Sequence, residues 1–128
     1  MLLQLNFSSS VPIYMQIRNQ IILGIADGRL PPGEKLPTIR SLADESGINM
    51  MTVNKAYQLL KQEGYITADR RSGAIVVGGV NVTSMHYNNI TEKSLCELKL
   101  LVSEAKLKGI TKEAFMQLTG RLYDELEV

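Results

Sequence analysis

Two short amphipathic segments joined by a turn of three or four residues that contains Gly47 constrain the fold of this chain more than any other feature. The second segment runs from Asn49 to Gly64. Asn49 is a good N-cap because its side-chain oxygen can accept an orphan amide hydrogen bond, and Gly64 is a good stop because glycine adopts the left-handed conformation at little cost. The apolar residues between them recur at helical spacing and predict one buried stripe, formed by Val53, Ala56, Tyr57 and Leu60.

The first segment, residues 38–46, reads as a shorter helix that Thr38 can cap. The residues expected to face inward are Ile39, Leu42 and Ala43. Gly47 then supplies a tight turn into the second helix. Two helices that meet in this way form a helix-turn-helix unit, whose second helix enters the major groove of DNA. Periodicity alone also allows an ordinary amphipathic surface helix, which is the alternative interpretation.

The face of the second helix opposite the stripe carries short or flexible hydrogen-bonding side chains near its start. These side chains are Asn49, Thr52, Asn54 and Lys55. With only one charge among them, such a face suits the edges of bases better than it suits bulk water alone.

Two β-prone runs follow the second helix, at residues 65–68 and 74–77. The loop between them is polar, carries Arg70 and Arg71, and ends at Gly73. This pattern predicts a β-hairpin with a basic loop. A helix-turn-helix unit followed by such a hairpin is a winged helix, in which the wing contacts phosphate or the minor groove.

Three motifs that follow one another along the chain carry a resemblance to a known family. They read Pro12-Ile13-Tyr14-x-Gln16-Ile17, Gly28-x-Leu30-x-Pro32-Gly33-Glu34-x-Leu36-Pro37-Thr38-x-Arg40-x-Leu42-Ala43, and Thr52-Val53-x-x-Ala56-Tyr57-x-x-Leu60-x-x-Glu63-Gly64. In this pattern the chain resembles the GntR family of bacterial transcription regulators. Its short C-terminal remainder is similar to that of the YtrA subfamily, whose members end in a small two-helix dimerisation tail.

The resemblance implies a mainly α fold with a small β-hairpin. We expect a winged helix-turn-helix DNA-binding domain over residues 8–79, a linker over residues 80–89, and an α-helical hairpin dimerisation tail over residues 90–128.

The resemblance also implies which residues contact DNA. In the family, the arginine that matches Arg40 approaches DNA at the mouth of the groove, and the position of Thr38 can touch phosphate. Gly73 matches the glycine of the wing tip, but the usual Gly-x-Gly-Thr reads Arg71-Ser72-Gly73-Ala74 here, which leaves a minor-groove approach open. The predicted DNA-binding residues are Thr38, Arg40, Asn49, Met51, Thr52, Asn54, Lys55, Arg70, Arg71, Ser72 and Gly73.

The start of the second helix departs from the family pattern. Many members carry an arginine directly after the cap and another four residues later, where each reads guanine, whereas this chain has Met50 and Asn54. Each bidentate guanine contact contributes about 1–3 kcal/mol of discrimination. Asn54 can read adenine instead, and Met50 or Met51 can pack on a thymine methyl group, which predicts an A·T-leaning site. The alternative is that the methionines fold back onto the protein.

The tail beyond the linker is predicted to form two helices that expose more apolar surface than they can cover. Thr91 can cap the first, Gly109 can end it, and Thr111 can cap the second. A partner subunit is the simplest cover, and a twofold homodimer matches a palindromic operator. The residues expected at the dimer interface are Leu95, Leu98, Val102, Ala105, Phe115, Leu118, Leu122 and Leu126.

Composition argues against several other classes. The chain of 128 residues is 45% hydrophobic and 21% charged, which fits one soluble domain with a small appendage. Its net charge of +1 supports DNA binding only weakly, although the small basic excess lies in residues 1–80. Apolar runs stay short of the roughly 20 residues that cross a membrane. A single cysteine, Cys96, and a single histidine, His86, give no cluster for a metal.

We therefore predict a cytoplasmic, sequence-specific DNA-binding transcription regulator that acts as a homodimeric repressor on an operator near its own operon. The sequence shows no catalytic constellation and implies neither a cofactor nor a membrane segment. The alternative is a winged helix that binds other proteins and not DNA. Any small-molecule effector is expected where the tails meet each other or the winged domain, because the tail is too short to enclose a pocket of about 300 Å³.

Overall fold

The computed structural model describes residues 3–69, 73–77 and 92–126. The chain divides into two compact units, one within residues 1–79 and one within residues 80–127. Within the described residues there are five helices and one two-stranded antiparallel sheet. The predicted fold class is confirmed.

Three helices form the centre of the first unit: α1 (Ile13–Ala26), α2 (Ile39–Ser46) and α3 (Met50–Gln62). The turn between α2 and α3 is built on Gly47, which has a φ of +67°. The Ile48 N–H then donates to the Ala43 carbonyl at 3.1 Å, a bond that caps the C-terminus of α2. α1 begins at Ile13 because Pro12 takes the N-cap position with an extended backbone.

One apolar core joins the helices to the segments around them. The predicted stripe of α3 is confirmed, since all four of its apolar residues are buried. Each fully buried branched aliphatic side chain contributes about 1.5–3 kcal/mol relative to exposure. The core consists of Ile17, Ile21, Leu36, Leu42, Ala43, Val53, Ala56, Tyr57, Leu60, Ile66 and Val76.

The predicted hairpin is present as β1 (Ile66–Asp69) and β2 (Gly73–Val76). The connector between α1 and α2 (residues 27–38) also pairs with β2. Leu36 N–H donates to the Ala74 carbonyl and Val76 N–H to the Glu34 carbonyl, both at 2.9 Å. The connector therefore ties the wing to the helical core.

An N-terminal arm lies along α1 and is held by two glutamine side chains. Gln20 accepts from the Gln4 N–H at 2.9 Å and donates to the Gln4 carbonyl at 2.6 Å. Gln16 makes the same pair of bonds with Asn6, at 2.8 and 2.9 Å. Gln4 and Asn6 are two residues apart in an extended chain, which advances about 6.6 Å, and Gln16 and Gln20 are four residues apart in a helix, which advances about 6 Å. The two distances match, so both pairs of hydrogen bonds can form together.

The second unit contains α4 (Glu92–Leu107) and α5 (Lys112–Glu125). The turn between them is as predicted: Gly109 has a φ of +82°, and the Thr111 side chain accepts from the Ala114 N–H at 3.1 Å. Thr91, the predicted cap of α4, lies outside the described residues. Among the described residues of this unit, only Ala105 is buried.

Candidate nucleic-acid interface

The start of α3 is fixed by its cap. The Asn49 Oδ1 atom accepts from the Met51 N–H at 2.7 Å. This oxygen is therefore committed to the helix, and only the amide NH₂ of Asn49 is left to act as a donor to another molecule. Replacing such a cap with alanine typically costs about 0.5–2 kcal/mol.

The side chains that follow the cap project into solvent. Met51 is 77% exposed and Met50 is 44% exposed. The alternative in which Met51 folds back onto the protein is therefore wrong for this structure. Asn54 and Lys55 are exposed, while Thr52 is half-buried. A partly apolar surface with a single charge, that of Lys55, thus lies at the N-terminal end of the helix, where helix-turn-helix proteins reach base edges.

Lys55 is oriented by a neighbouring helix. Its ammonium nitrogen lies 4.1 Å from the centroid of the Tyr14 ring, close enough for a cation–π interaction. Tyr14 is in the first turn of α1, so this contact joins the starts of α1 and α3. The Tyr14 ring contacts only one side of the Lys55 ammonium group, so the N–H groups on the other side can still donate to an acceptor.

The start of α2 contributes Thr38 and Arg40. The Thr38 Oγ1 atom accepts from the Ser41 N–H at 3.0 Å, so Thr38 is the predicted cap of α2. Its hydroxyl hydrogen can still be donated to an acceptor outside the helix. Arg40 is exposed two residues later. Both predicted residues therefore lie together at one helix start.

Two long-range contacts set the orientation of α3. The buried Tyr57 hydroxyl donates to the Pro37 carbonyl at 2.8 Å, and burial raises the pKa of this phenol well above its usual value, so it remains a donor. Arg18 of α1 holds both carboxylate oxygens of Glu63, at 2.9 and 3.0 Å. These bonds tie α1 to the C-terminal end of α3, where Glu63 is the C-cap.

Sequence reasoning missed Gln58 and Lys61, which extend the exposed face of α3. Gln58 is exposed and follows Asn54 by four residues, one turn further along the helix. Gln58 and Lys61 line a cleft of about 180 Å³ between α3 and the hairpin. Asn54 and Ala68 also line this cleft. The four-residue spacing from Asn54 was the signal that identifies Gln58.

The wing is only partly described. Gly73 begins β2 with a φ of +70°, a conformation that favours glycine. The predicted contacts Arg70, Arg71 and Ser72 lie outside the described residues. Their assignment to DNA therefore stays a prediction.

Neither a metal-binding cluster nor a membrane-spanning helix is present in the described part of the chain. Residues 3–69, 73–77 and 92–126 contain no group of three or more His, Cys, Asp or Glu side chains that could hold a metal ion. Over the same ranges, every helix is too short or too polar to cross a membrane.

Comparisons with known proteins agree with this geometry. The family model described as "Bacterial regulatory proteins, gntR family" matches residues 13–76. The HTH-type transcriptional repressor YtrA of Bacillus subtilis (strain 168) is 34% identical over 112 residues, which cover 88% of this chain and 85% of YtrA.

Two solved structures are similar in fold. A transcriptional antiterminator from Listeria monocytogenes EGD-e superposes with a TM-score of 0.78 at 28% identity, over 100% of this chain and 95% of that one. The DNA-binding domain of AraR, solved in complex with operator ORX1, has a TM-score of 0.54 at 26% identity, over 59% of this chain and 96% of that one.

Proposed function

The chain belongs to the GntR family of bacterial regulatory proteins and is a YtrA-like, DNA-binding transcriptional regulator; from this premise we propose that it is a homodimeric repressor of an operator near its own operon. YtrA of Bacillus subtilis, which it resembles over most of its length, is itself named a repressor. That likeness supports the proposed sign of regulation.

The exposed start of α3 is the main support for the way in which we propose that the protein recognises bases. Met51 is 77% exposed there, and Asn54 is exposed one turn away from the cap. An asparagine can make two hydrogen bonds to adenine, and an apolar side chain can contact the thymine methyl group. An operator rich in A·T pairs at the positions facing α3 follows from this pairing.

The remaining predicted contacts act on the sugar-phosphate backbone. Arg40 and Thr38 lie at the start of α2, and the helix start favours an anion because its amide groups point outward. Arg71 on the wing would add a second cationic contact. Backbone contacts of this kind position the protein on the duplex but carry no sequence information.

A dimer is supported by the apolar surface of the second unit. Leu95, Leu98 and Leu122 are each about half exposed or more in the single chain. Covering large apolar side chains is favourable by about 25 cal/mol for each Å² removed from water. A second copy covers this surface and also supplies the second recognition helix of a twofold operator.

Binding to the region upstream of the protein's own gene tests the proposed operator. The full-length protein is titrated onto that DNA in a gel shift, with random-sequence duplex as competitor. We expect a shift that survives at least a hundredfold mass excess of competitor, because specific binding typically exceeds non-specific binding by about 10³ or more. Equal competition by random and upstream DNA would remove the operator from the proposal.

Disruption of the tail tests the dimer. Leu98→Asp combined with Leu122→Asp would bury unpaired carboxylates and should give monomers in sedimentation velocity. The matched control is Gln117→Asp, on another face of α5, which should remain dimeric. The monomers should lose operator affinity steeply while keeping helical circular dichroism. A double variant that stays dimeric and binds the operator would place the subunit contact elsewhere.

A further inference from the structure

The cleft between α3 and the hairpin has one polar wall and one apolar wall. Asn54, Gln58 and Lys61 form the wall on α3. Their spacing of four and three residues puts them on one face of the helix, along about 10 Å of its axis. The hairpin wall is made of small or apolar residues, among them Ala68 and Ala74. A row of hydrogen-bond donors therefore lies across from an apolar surface.

The size and charge of the cleft restrict what it can hold. Its volume of about 180 Å³ is smaller than the roughly 300–1,000 Å³ of pockets that enclose small-molecule ligands. None of the described residues that line it is acidic, and Lys61 contributes a positive charge. Gln58 and Lys61 are both exposed, so their N–H groups can donate to an acceptor from another molecule. The cleft therefore suits an anionic group on a narrow chain better than it suits a small-molecule effector.

The position of the cleft indicates which chain it can hold. α3 carries the predicted base contacts at its N-terminal end, and the second helix of a helix-turn-helix unit lies in the major groove. A wing that contacts the neighbouring minor groove lies on the other side of the sugar-phosphate strand that separates the two grooves. That strand must then cross the protein surface between α3 and the hairpin, which is where the cleft lies.

We propose that this cleft holds one sugar-phosphate strand of the DNA, with Gln58 and Lys61 donating to its phosphate oxygens. The apolar wall lies against deoxyribose, whose C–H groups need no hydrogen-bond partner. The proposal rests on the proposed function, in which the wing contacts DNA, and it adds two contact residues at positions that the three family motifs leave unspecified. Contacts of this kind hold the protein on the duplex and carry no sequence information.

Replacement of Lys61 tests the charged contact. The full-length protein is titrated onto two labelled duplexes, one from the region upstream of its own gene and one of random sequence, and fluorescence anisotropy is measured at several salt concentrations. Lys61→Gln should weaken binding to both duplexes and flatten the plot of log affinity against log salt by about one unit per subunit. Lys108→Gln, just beyond the end of α4, is the matched control and should bind like the natural protein. An unchanged slope for Lys61→Gln would overturn the contact.

Replacement of Gln58 tests the uncharged contact. Gln58→Leu removes the amide donor and should lower affinity for both duplexes by about two- to tenfold per subunit, which is the effect of one uncharged hydrogen bond, without changing the salt slope. The matched control is Gln62→Leu, since Gln62 is exposed one turn further along α3 and is not among the residues that line the cleft. A loss confined to the upstream duplex would make Gln58 a base contact, and no loss on either duplex would also overturn its assignment to the strand.

A bulky side chain on the hairpin wall tests whether the cleft must be open. Ala68 is exposed, so Ala68→Phe adds a ring to the cleft without entering the core, and an aromatic residue suits a strand. This variant should lower affinity for both duplexes by about tenfold or more, because a displaced strand loses both contacts. Thr67→Phe is the matched control, since Thr67 is also exposed and neighbouring residues of a strand point to opposite faces. Equal affinities of the Ala68→Phe and Thr67→Phe variants would contradict the proposal.

The random-sequence duplex separates this proposal from the proposed operator. Circular dichroism and urea unfolding first check that each variant stays folded. If the natural protein binds the upstream duplex no better than random DNA, the operator is removed from the proposed function, whereas matching losses on the random duplex still support a strand in the cleft. If the natural protein prefers the upstream duplex and the three cleft variants bind as tightly as it does, the strand contact is overturned and the proposed function stands.

Discussion

Replacing Tyr14 with leucine should weaken DNA binding, but only while residue 55 is a lysine. The ammonium of the exposed Lys55 lies 4.1 Å from the centroid of the ring of Tyr14, which is half-buried. A cation–π contact in such a setting is worth about 0.5–1 kcal/mol. If the ring holds the ammonium where it meets a DNA phosphate, its removal should lower affinity by roughly two- to fivefold for each subunit that contacts the DNA.

A double-mutant cycle measures this coupling. Fluorescence anisotropy with a labelled operator duplex gives affinities for the natural protein, Tyr14→Leu, Lys55→Met and the double variant at several salt concentrations. Lys55→Met should flatten the plot of log affinity against log salt by about one unit per subunit, whereas Tyr14→Leu should leave the slope unchanged. In the Lys55→Met background, Tyr14→Leu should have no further effect.

Tyr14→Phe is the control because it keeps the ring and removes only the hydroxyl. This variant should bind DNA like the natural protein. The reasoning is refuted if the Tyr14→Leu and Lys55→Met losses simply add. It is also refuted if Tyr14→Phe loses as much affinity as Tyr14→Leu, because the hydroxyl and not the ring would then be responsible.

Three further predictions concern the recognition helix, the wing and the turn between α2 and α3. Asn54→Ala should lower affinity for the specific site by about 1–3 kcal/mol and leave random-DNA affinity nearly unchanged; equal losses on both in anisotropy titrations would make Asn54 a backbone contact. Arg71→Ala should weaken binding to all sequences and flatten the salt slope by about one unit per subunit, and an unchanged slope would contradict a phosphate contact by the wing. Gly47→Ala should lower the free energy of unfolding in urea by about 1–2 kcal/mol, because Gly47 has a φ of +67°. The control Gly120→Ala lies within a helix and its new Cβ meets nothing within 4 Å, so it should raise the free energy of unfolding. Equal effects of the two substitutions would refute a strained turn at Gly47.

The features that could be predicted from the sequence are those set by nearby residues. A cap acts on amides two or three residues away, so Thr38 and Asn49 were identifiable from their positions alone. The α3 stripe was identifiable because helical periodicity fixes which residues share a face. Gly47 and Gly109 marked helix ends for the same local reason.

The features that sequence reasoning missed join residues far apart in the chain. Arg18 and Glu63 are separated by 45 residues, and each has an ordinary surface explanation when considered alone. The contact of Lys55 with Tyr14 depends on how α1 crosses α3, which a periodic pattern does not specify. The pairing of the connector with β2 is likewise set by tertiary packing, because prolines in the connector gave no strand signal.

The exposure of the side chains at the candidate interface was predictable from the sequence, whereas their contacts within the protein were not. The exposure of Asn54 and Met51 follows from their place on the helix opposite the buried stripe. That the Asn49 side-chain oxygen is occupied by the cap, and that Lys55 is held by an aromatic ring, required three-dimensional distances. Gln58 lies one helical turn beyond the predicted DNA-contacting residues of α3, so the prediction did not include it.

A footprint on a selected operator tests the central claim most directly. The natural protein is used to select binding sites from random duplexes, and the best site is then mapped by hydroxyl-radical cleavage. We expect two protected segments related by twofold symmetry, with centres about 34–36 Å apart, and A·T pairs at the positions that face α3. A single protected segment, or no preference for the selected site over a scrambled one, would contradict a dimeric, sequence-specific regulator.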